Sequence, residues 1–507
     1  MGFMENLRKE QNNRKNLTEN FAVAYETTGS DLLDFNFKIT SFRKSSDEDI
    51  IKSFQKVFYD DNILALKYLF YVGDIRQGLG ERRVFKVCFA WVAKSHPDQA
   101  RRLLKIIPEY SRWDILISLV NCSEKLVKRE VINIIRNQLR QDKSNMLNNK
   151  PISLLAKWLP SENASSRDTR TLARQIMSEL KMSPKKYRKT LSALRSYLDV
   201  VEVKMSSKSW DEIDYSTVPS VANLRYSDAF LRNDTERRVK YLESLKSGKT
   251  KINAGVLQPH EIVYKYTKGY DIWSNNYYTK FNDTLEELWK ALPDICTEET
   301  LVVRDGSGSM YCGVSGKVRA VDVATALAIY CSEHTTSEFN DKFITFSSNP
   351  RLVDLRGCKN LADKIDVAFN ETEMSNTNIY KTMQLILTTA IKNNMRQEEL
   401  PKNILIVSDM QFDGTRFHLS RSLFEDIQKE FEIHGYKLPR ICFWNLCPYD
   451  SKTIPIQQND MGLILCSGFS VNNLKMFMSG EIDPLKVLLE IIESRRYDII
   501  DKLLSEN

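Results

Sequence analysis

The spacing of apolar positions along the chain changes near residue 300. Before that point the period is helical. Ile50, Ile51, Phe54, Val57 and Phe58 fall on one face of a single helix. The same spacing predicts helices from Asp61 onward and over 84–93, 98–107, 112–120, 122–141, 152–158, 167–182 and 185–199. Residues 200–300 are less regular. They read as loop or turn at 204–208 and 210–215, and as helix at 226–231, 235–247, from Pro259, and at 282–292. Helix after helix with short connections predicts an α-solenoid of helix pairs, although no repeat of fixed length is present. After 293–299 the pattern becomes alternating strands and helices. Strands are expected at 301–304, 342–346, 351–355, 403–408, 440–445 and 462–466. Helices are expected at 319–332, 361–369, 379–392, 416–431, 471–478 and 484–495. Such alternation builds a mostly parallel sheet covered on both faces.

The expected fold class is therefore α + α/β. Residues 1–48 read as a polar N-terminal segment and 49–295 as an all-α, HEAT-like helical-repeat domain. Residues 296–507 read as a Rossmann-like α/β domain with a parallel sheet. At 507 residues, the chain is long enough for two cores. No apolar run approaches the roughly 20 residues that span a bilayer, so no membrane partner is expected. The polar start lacks the apolar stretch of a signal peptide. Asn6 stands where a myristoylation motif wants Ser or Thr. Nine scattered cysteines without Cys-x-x-Cys predict reduced thiols and a cytoplasmic location.

Charge is unevenly distributed. Residues 1–300 hold 50 Lys and Arg against 39 Asp and Glu, whereas 301–507 hold 23 against 27. A basic first half points to a polyanionic partner. Two stretches are candidate phosphate contacts. The first is the loop 73–83, where Arg76, Arg82 and Arg83 accompany Gly78 and Gly80; amides freed by glycine and nearby guanidiniums suit phosphate oxygens. The alternative is an inter-helix turn whose arginines pair with Asp74 and Glu81. The second stretch is Lys181, Lys185, Lys186, Arg188 and Lys189 around a helix start. Cations there oppose the helix dipole, and a polyanion would offset the cost.

The α/β part carries the most specific chemistry. Its first strand ends in Asp305-Gly-Ser307-Gly-Ser309, with Thr377 in a later loop and Asp409 at the end of another strand. Two Ser hydroxyls, one Thr hydroxyl and two carboxylates supply the oxygen donors Mg2+ prefers, and leave a position for a partner's acidic oxygen. In open parallel sheets, ligand sites lie beyond the carboxyl ends of the strands. Gly306 and Gly308 are expected to let the loop turn through backbone angles other residues avoid. A dinucleotide fingerprint, a phosphate loop and a hydrolase elbow all fail on spacing. Without a nucleophile and base pair, no enzyme is expected.

The Asp-x-Ser-x-Ser, Thr and Asp set resembles the metal-ion-dependent adhesion site of von Willebrand factor A domains. Ser375-Asn376 replaces the Gly-Gly pair common before the Thr of that site. A helical half followed by an A domain resembles the Ro autoantigen (TROVE-domain) proteins. Residues 73–83 and 110–114 also look like an uncharacterised family of large-virus, fungal and plant proteins of related layout. The Ro resemblance implies helical repeats able to close into a basic ring. That ring would bind small structured RNAs outside and single-stranded RNA ends through its hole. It implies a non-enzymatic RNA-binding scaffold bearing a Mg2+ site. The alternative is a protein-interaction adaptor that captures a partner's acidic residue through the metal.

Overall fold

The computed structural model describes residues 15–17, 23–270, 277–295, 299–372, 377–411, 423–446, 454, 462–478 and 481–505. The fold is α + α/β. Its strands are β1 (Lys15–Leu17), β2 (Val23–Tyr25), β3 (Thr300–Asp305), β4 (Gly313–Ser315), β5 (Val318–Arg319), β6 (Lys342–Phe346), β7 (Leu352–Asp354), β8 (Asn403–Ser408), β9 (Arg440–Asn445) and β10 (Leu463–Ser467).

The chain forms two compact units. One comprises 1–60 and 254–494, the other 61–253 and 495–507. This partition departs from the sequence-derived boundaries at both ends. The N-terminal stretch is not merely polar. Helix Asp31–Phe37 buries Leu32, Leu33, Phe35 and Phe37. It packs on β10, where the Asn36 amide donates to the Leu465 carbonyl at 3.1 Å. Thr40 Oγ1 donates to the Asn445 carbonyl at 3.0 Å. Helix Asp47–Asp60 packs on Asp31–Phe37 and so belongs to the same unit. Helix Pro259–Thr267 packs on helix Ala320–Glu333. Thr267 Oγ1 donates to Asp322 there at 2.7 Å.

The six-stranded sheet of this unit has the order β10-β9-β8-β3-β6-β7. All neighbours are parallel except the edge pair β6 and β7. Strands β3, β8, β9 and β10 are buried nearly throughout, as expected when helices cover both faces. Side chains alternate across β3. Leu301 and Val303 join Ile404, Ile406, Ile441 and Phe443 in one core layer. Arg304 points the opposite way, fully buried. Its guanidinium donates to Thr325 Oγ1 at 3.0 Å and to the Ala368 carbonyl at 2.9 Å. Asp305, back on the first face at the strand's end, begins the candidate site.

The second unit is helical. Its chain runs through Asn62–Gly73, Arg82–Ser95, Pro97–Leu103, Trp113–Ser118, Lys125–Leu147, Arg167–Leu180, Pro184–Tyr197, Ser220–Asn233 and Thr235–Lys246. Residues 204–207, within the stretch 204–208 expected as loop, belong to helix Val201–Ser207. The chain's last helix, Asp498–Ser505, packs on Asn62–Gly73 and Pro97–Leu103. Among the described residues, no helix is long and apolar enough to cross a membrane.

A candidate metal centre and a cationic helical surface

Two adjacent parallel strands, β3 and β8, deliver Asp305 and Asp409 to the same sheet edge. Asp305 is fully buried and Asp409 nearly so. Asp305 Oδ2 accepts from Ser408 Oγ at 2.5 Å and Oδ1 accepts from the Ser307 amide at 2.8 Å. Burial, and then the neighbouring Asp409 charge, hold the Asp305 carboxyl well above the usual carboxylate range; hydrogen bonds from Ser408 and Ser307 act the other way. Ser307 Oγ and Ser309 Oγ lie 3.0 Å apart. Ser307 is buried and Ser309 exposed, so the site opens to solvent on the serine side.

Thr377 is buried, and its hydroxyl donates to the Gln411 carbonyl at 2.7 Å. The Gln411 amide in turn donates to Asp409 Oδ1 at 3.2 Å. A hydroxyl that donates its proton keeps its oxygen lone pairs for a cation. Residues 373–376, including the Ser375-Asn376 departure, lie outside the described residues. The structure thus connects Asp305, Ser307 and Ser309 in one cluster, and Thr377 and Asp409 in another joined to it by charge. The donor set fits a small hard cation: oxygens only, with two carboxylates whose mutual repulsion a divalent ion would relieve. Met410 was missed by sequence reasoning. It is a buried non-glycine residue at φ 67°. That left-handed turn costs on the order of 1 kcal/mol and sends Gln411 back towards Thr377. No residue-type signal announces it.

The glycines act differently from the expectation. Neither Gly306 nor Gly308 has a positive φ. A Cβ at Gly306 would lie 2.5 Å from the Thr372 methyl, so close packing requires glycine there, while Gly308 has open space.

The helical unit separates the predicted phosphate contacts into two kinds. In the loop 73–83, Asp74 is wholly buried. It does not neutralise the loop's own arginines. Its carboxylate accepts from Arg496, with Nη2 at 2.9 Å and Nε on the other oxygen, and from Tyr497 Oη at 3.2 Å. The Arg496 guanidinium also sits 4.7 Å from the Tyr110 ring centre. A Cβ at Gly78 would come within 2.0 Å of the Tyr71 carbonyl. The Arg76 guanidinium is spent on the Glu109 carbonyl. Arg82 and Arg83 are exposed in the first turn of their helix. This loop is primarily a socket for the chain's end.

The lysines of the second cluster differ. Lys181, Lys185, Lys186 and Lys189 are exposed, with no side-chain partner among the described residues, whereas Arg188 is ion-paired with Glu162. Pro184 opens the helix, Ser183 caps it, and Tyr187 anchors it with a 2.9 Å bond to the Pro160 carbonyl. Lys185, Lys186 and Lys189 border a groove of about 500 Å³ with Lys143, Met146 and Leu147.

Residues 18–109 and 123–298 match the family described as Domain of unknown function (DUF2828), over half of the chain. The chain belongs to the DUF2828 family. Residues 299–495 of this DUF2828 protein match Domain of unknown function (DUF7788). It is similar to an uncharacterised protein of Acanthamoeba polyphaga mimivirus, at 32% identity over 94% of this chain and 87% of that one. Among solved structures it is similar to the Deinococcus radiodurans RO (RSR) protein, at 15% identity and a TM-score of 0.48 over 85% of this chain and 93% of that one.

Proposed function

We propose that this protein is a non-enzymatic, cytoplasmic RNA-binding scaffold. Its helical unit contacts RNA phosphates, and its α/β unit carries a Mg2+-dependent adhesion site. The observation that carries this reading is the segregation of charge between the two units. The helical unit holds 40 Lys and Arg against 24 Asp and Glu; the α/β unit holds 33 against 42. A balance of +16 beside one of −9 is sharper than the sequence halves suggested. Long-range attraction of a polyanion to the helical unit follows from it. The lysines around Pro184 supply the local contacts, since each stands exposed without a carboxylate partner among the described residues.

In the α/β unit, Asp305, Ser307, Ser309, Thr377 and Asp409 would hold the ion. When bound, Mg2+ supplies an electrophilic position for an acidic oxygen. Ser307 and Asp305 are pre-positioned by the amide and hydroxyl bonds described above. The tagged protein purified from its native cell, with and without nuclease, tests the proposal. A defined RNA set should co-purify and be lost from a Lys185→Glu, Lys186→Glu, Lys189→Glu variant.

A second reading, an adaptor that captures a partner's Asp or Glu through the metal, is favoured by the exposure of Ser309 beside buried carboxylates. It predicts a protein released by chelator and absent with Asp305→Ala. A preparation free of RNA but holding such a protein would leave only this reading.

A further inference from the structure

The longest helix among the described residues, Lys125–Leu147, spreads its charges unevenly. At about 100° per residue, Lys125, Arg129, Arg136, Arg140 and Lys143 fall within about 60° of one another. They form a stripe roughly 27 Å long from first to last, at about 1.5 Å per residue. The helix's two acids lie off the stripe. Glu130 lies about 80° beyond the stripe's edge, and Asp142 is fully buried, accepting from Gln138 at 2.9 Å and from Ser153 Oγ at 2.7 Å.

Lys125, Arg129, Arg140 and Lys143 have no hydrogen-bond or ion-pair partner for their side chains among the described residues. Arg136 uses its guanidinium on Asn133 Oδ1 at 2.8 Å and the Glu179 carbonyl at 3.0 Å. Glu179, which borders the stripe's groove, is paired with Lys128 at 2.8 Å. Grooves flank the stripe at both ends. One, of about 430 Å³, is bordered by Lys125, Arg129 and Arg136. The other holds Lys143 together with Lys185, Lys186 and Lys189. The stripe and the lysines around Pro184 therefore make one continuous cationic track.

We propose that this track binds the phosphate backbone of paired RNA, an inference that rests on the RNA-binding reading above. Two observations select paired RNA over single strands. Recognition of unpaired bases depends on stacking on aromatic faces. Helix Lys125–Leu147 contains no aromatic residue, and Tyr187 of the neighbouring helix is buried. Straight, regularly spaced cations without stacking platforms suit the regular phosphate rows of a duplex, read by shape rather than by base.

The test uses the full chain, a 20-base-pair RNA duplex, and a single strand of the same length unable to pair. Affinities are measured by fluorescence anisotropy across a salt series. The variant Lys125→Glu, Arg129→Glu, Arg140→Glu, Lys143→Glu is compared with a control of reversed charges at Lys246, Lys249 and Lys251, on the exposed turn after helix Thr235–Lys246. A second variant places Gln at the four stripe positions, so that loss of charge is separable from disruption, and thermal melts check the fold of each. The track predicts duplex affinity at least 10-fold above that for the single strand. It also predicts a drop of 30-fold or more in the Glu variant, a smaller drop in the Gln variant, and a salt slope shallower by about 3. Wild-type affinity in the stripe variants, or equal losses in stripe and control, would overturn the track while RNA binding stands. Preference for the single strand would overturn the assignment to paired RNA. Absence of binding to either RNA would sink the parent reading as well.

Discussion

Replacing Asp74 with Ala removes the acceptor that ties the chain's end to the Gly-rich loop. The native carboxylate is fully buried and accepts from Arg496, from Tyr497 Oη and from the Arg76 amide at 2.9 Å. Breaking a buried pair by deleting one partner costs roughly 3–5 kcal/mol. The Arg496 side chain is 19% exposed, so water takes part of the lost role. A cost of about 2–3 kcal/mol is the expected net. The other polar contacts of the segment it holds include Lys67 with Asp501 at 2.5 Å, Arg102 with the Leu504 carbonyl at 2.9 Å, and Tyr110 with the Arg496 carbonyl. Loss of Asp74 therefore loosens helix Asp498–Ser505. Urea unfolding of the full chain is the assay, with limited proteolysis of the C-terminal segment beside it. The midpoint of the helical unit's transition should fall by on the order of 1 M. In a double-mutant cycle with Arg496→Ala, the combined loss should be smaller than the sum by at least about 1 kcal/mol. Additivity, or an Asp74→Ala cost no greater than that of a surface substitution, would refute the assignment of this loop as a socket.

Gly78→Ala should cost several kcal/mol in the same assay, because the new methyl meets the rigid Tyr71 carbonyl; a near-neutral result would contradict the packing. Mg2+ should raise the melting temperature of the wild type over that in chelator, by the equivalent of about 2.7 kcal/mol at a hundredfold excess over Kd. Asp409→Asn should lose that response, yet be no less stable than wild type in chelator, since it removes a charge facing buried Asp305; an unchanged Mg2+ response would contradict the ligand set. Burial, then the Arg43 charge, hold the pKa of His260 down at about 3, and its Nδ1 has no hydrogen-bond partner among the described residues. A depressed folded pKa means this contribution is complete above about pH 6.5 and is lost as pH falls towards 3. Relative to His260→Asn, the wild type should therefore lose about 2 kcal/mol between pH 7.5 and 5. Parallel pH dependences of the two proteins in urea melts would contradict it.

Much of the fold was legible because local spacing determines it. Strands 342–346, 403–408 and 440–445 and helix 379–392 fall where alternation and helical periodicity put them. The carboxyl-end positions of Asp305 and Asp409 followed from those strands. What local reading missed depends on distant partners. Asp74 reads as a loop acid until Arg496 arrives from 422 residues away. Helix Asp31–Phe37 looks like part of a polar tail until β10 supplies its hydrophobic surface. The compact units cross the boundaries expected at 48 and 295 for the same reason, since sequence neighbours do not reveal which sheet face a helix will cover. The stripe on Lys125–Leu147 is different. Its 19-residue span is the kind of periodicity a sequence carries, but only the lack of ion-pair partners among the described residues distinguishes it from an ordinary solvated face.

The most direct test of the account is the affinity of the purified full chain for RNA across a salt series from about 50 to 200 mM KCl, in the presence of Mg2+. The account predicts tight binding at low salt and a linear fall of log affinity with log salt, with a slope of about −3 or steeper. A flat response, or no measurable binding at the lowest salt, would contradict it.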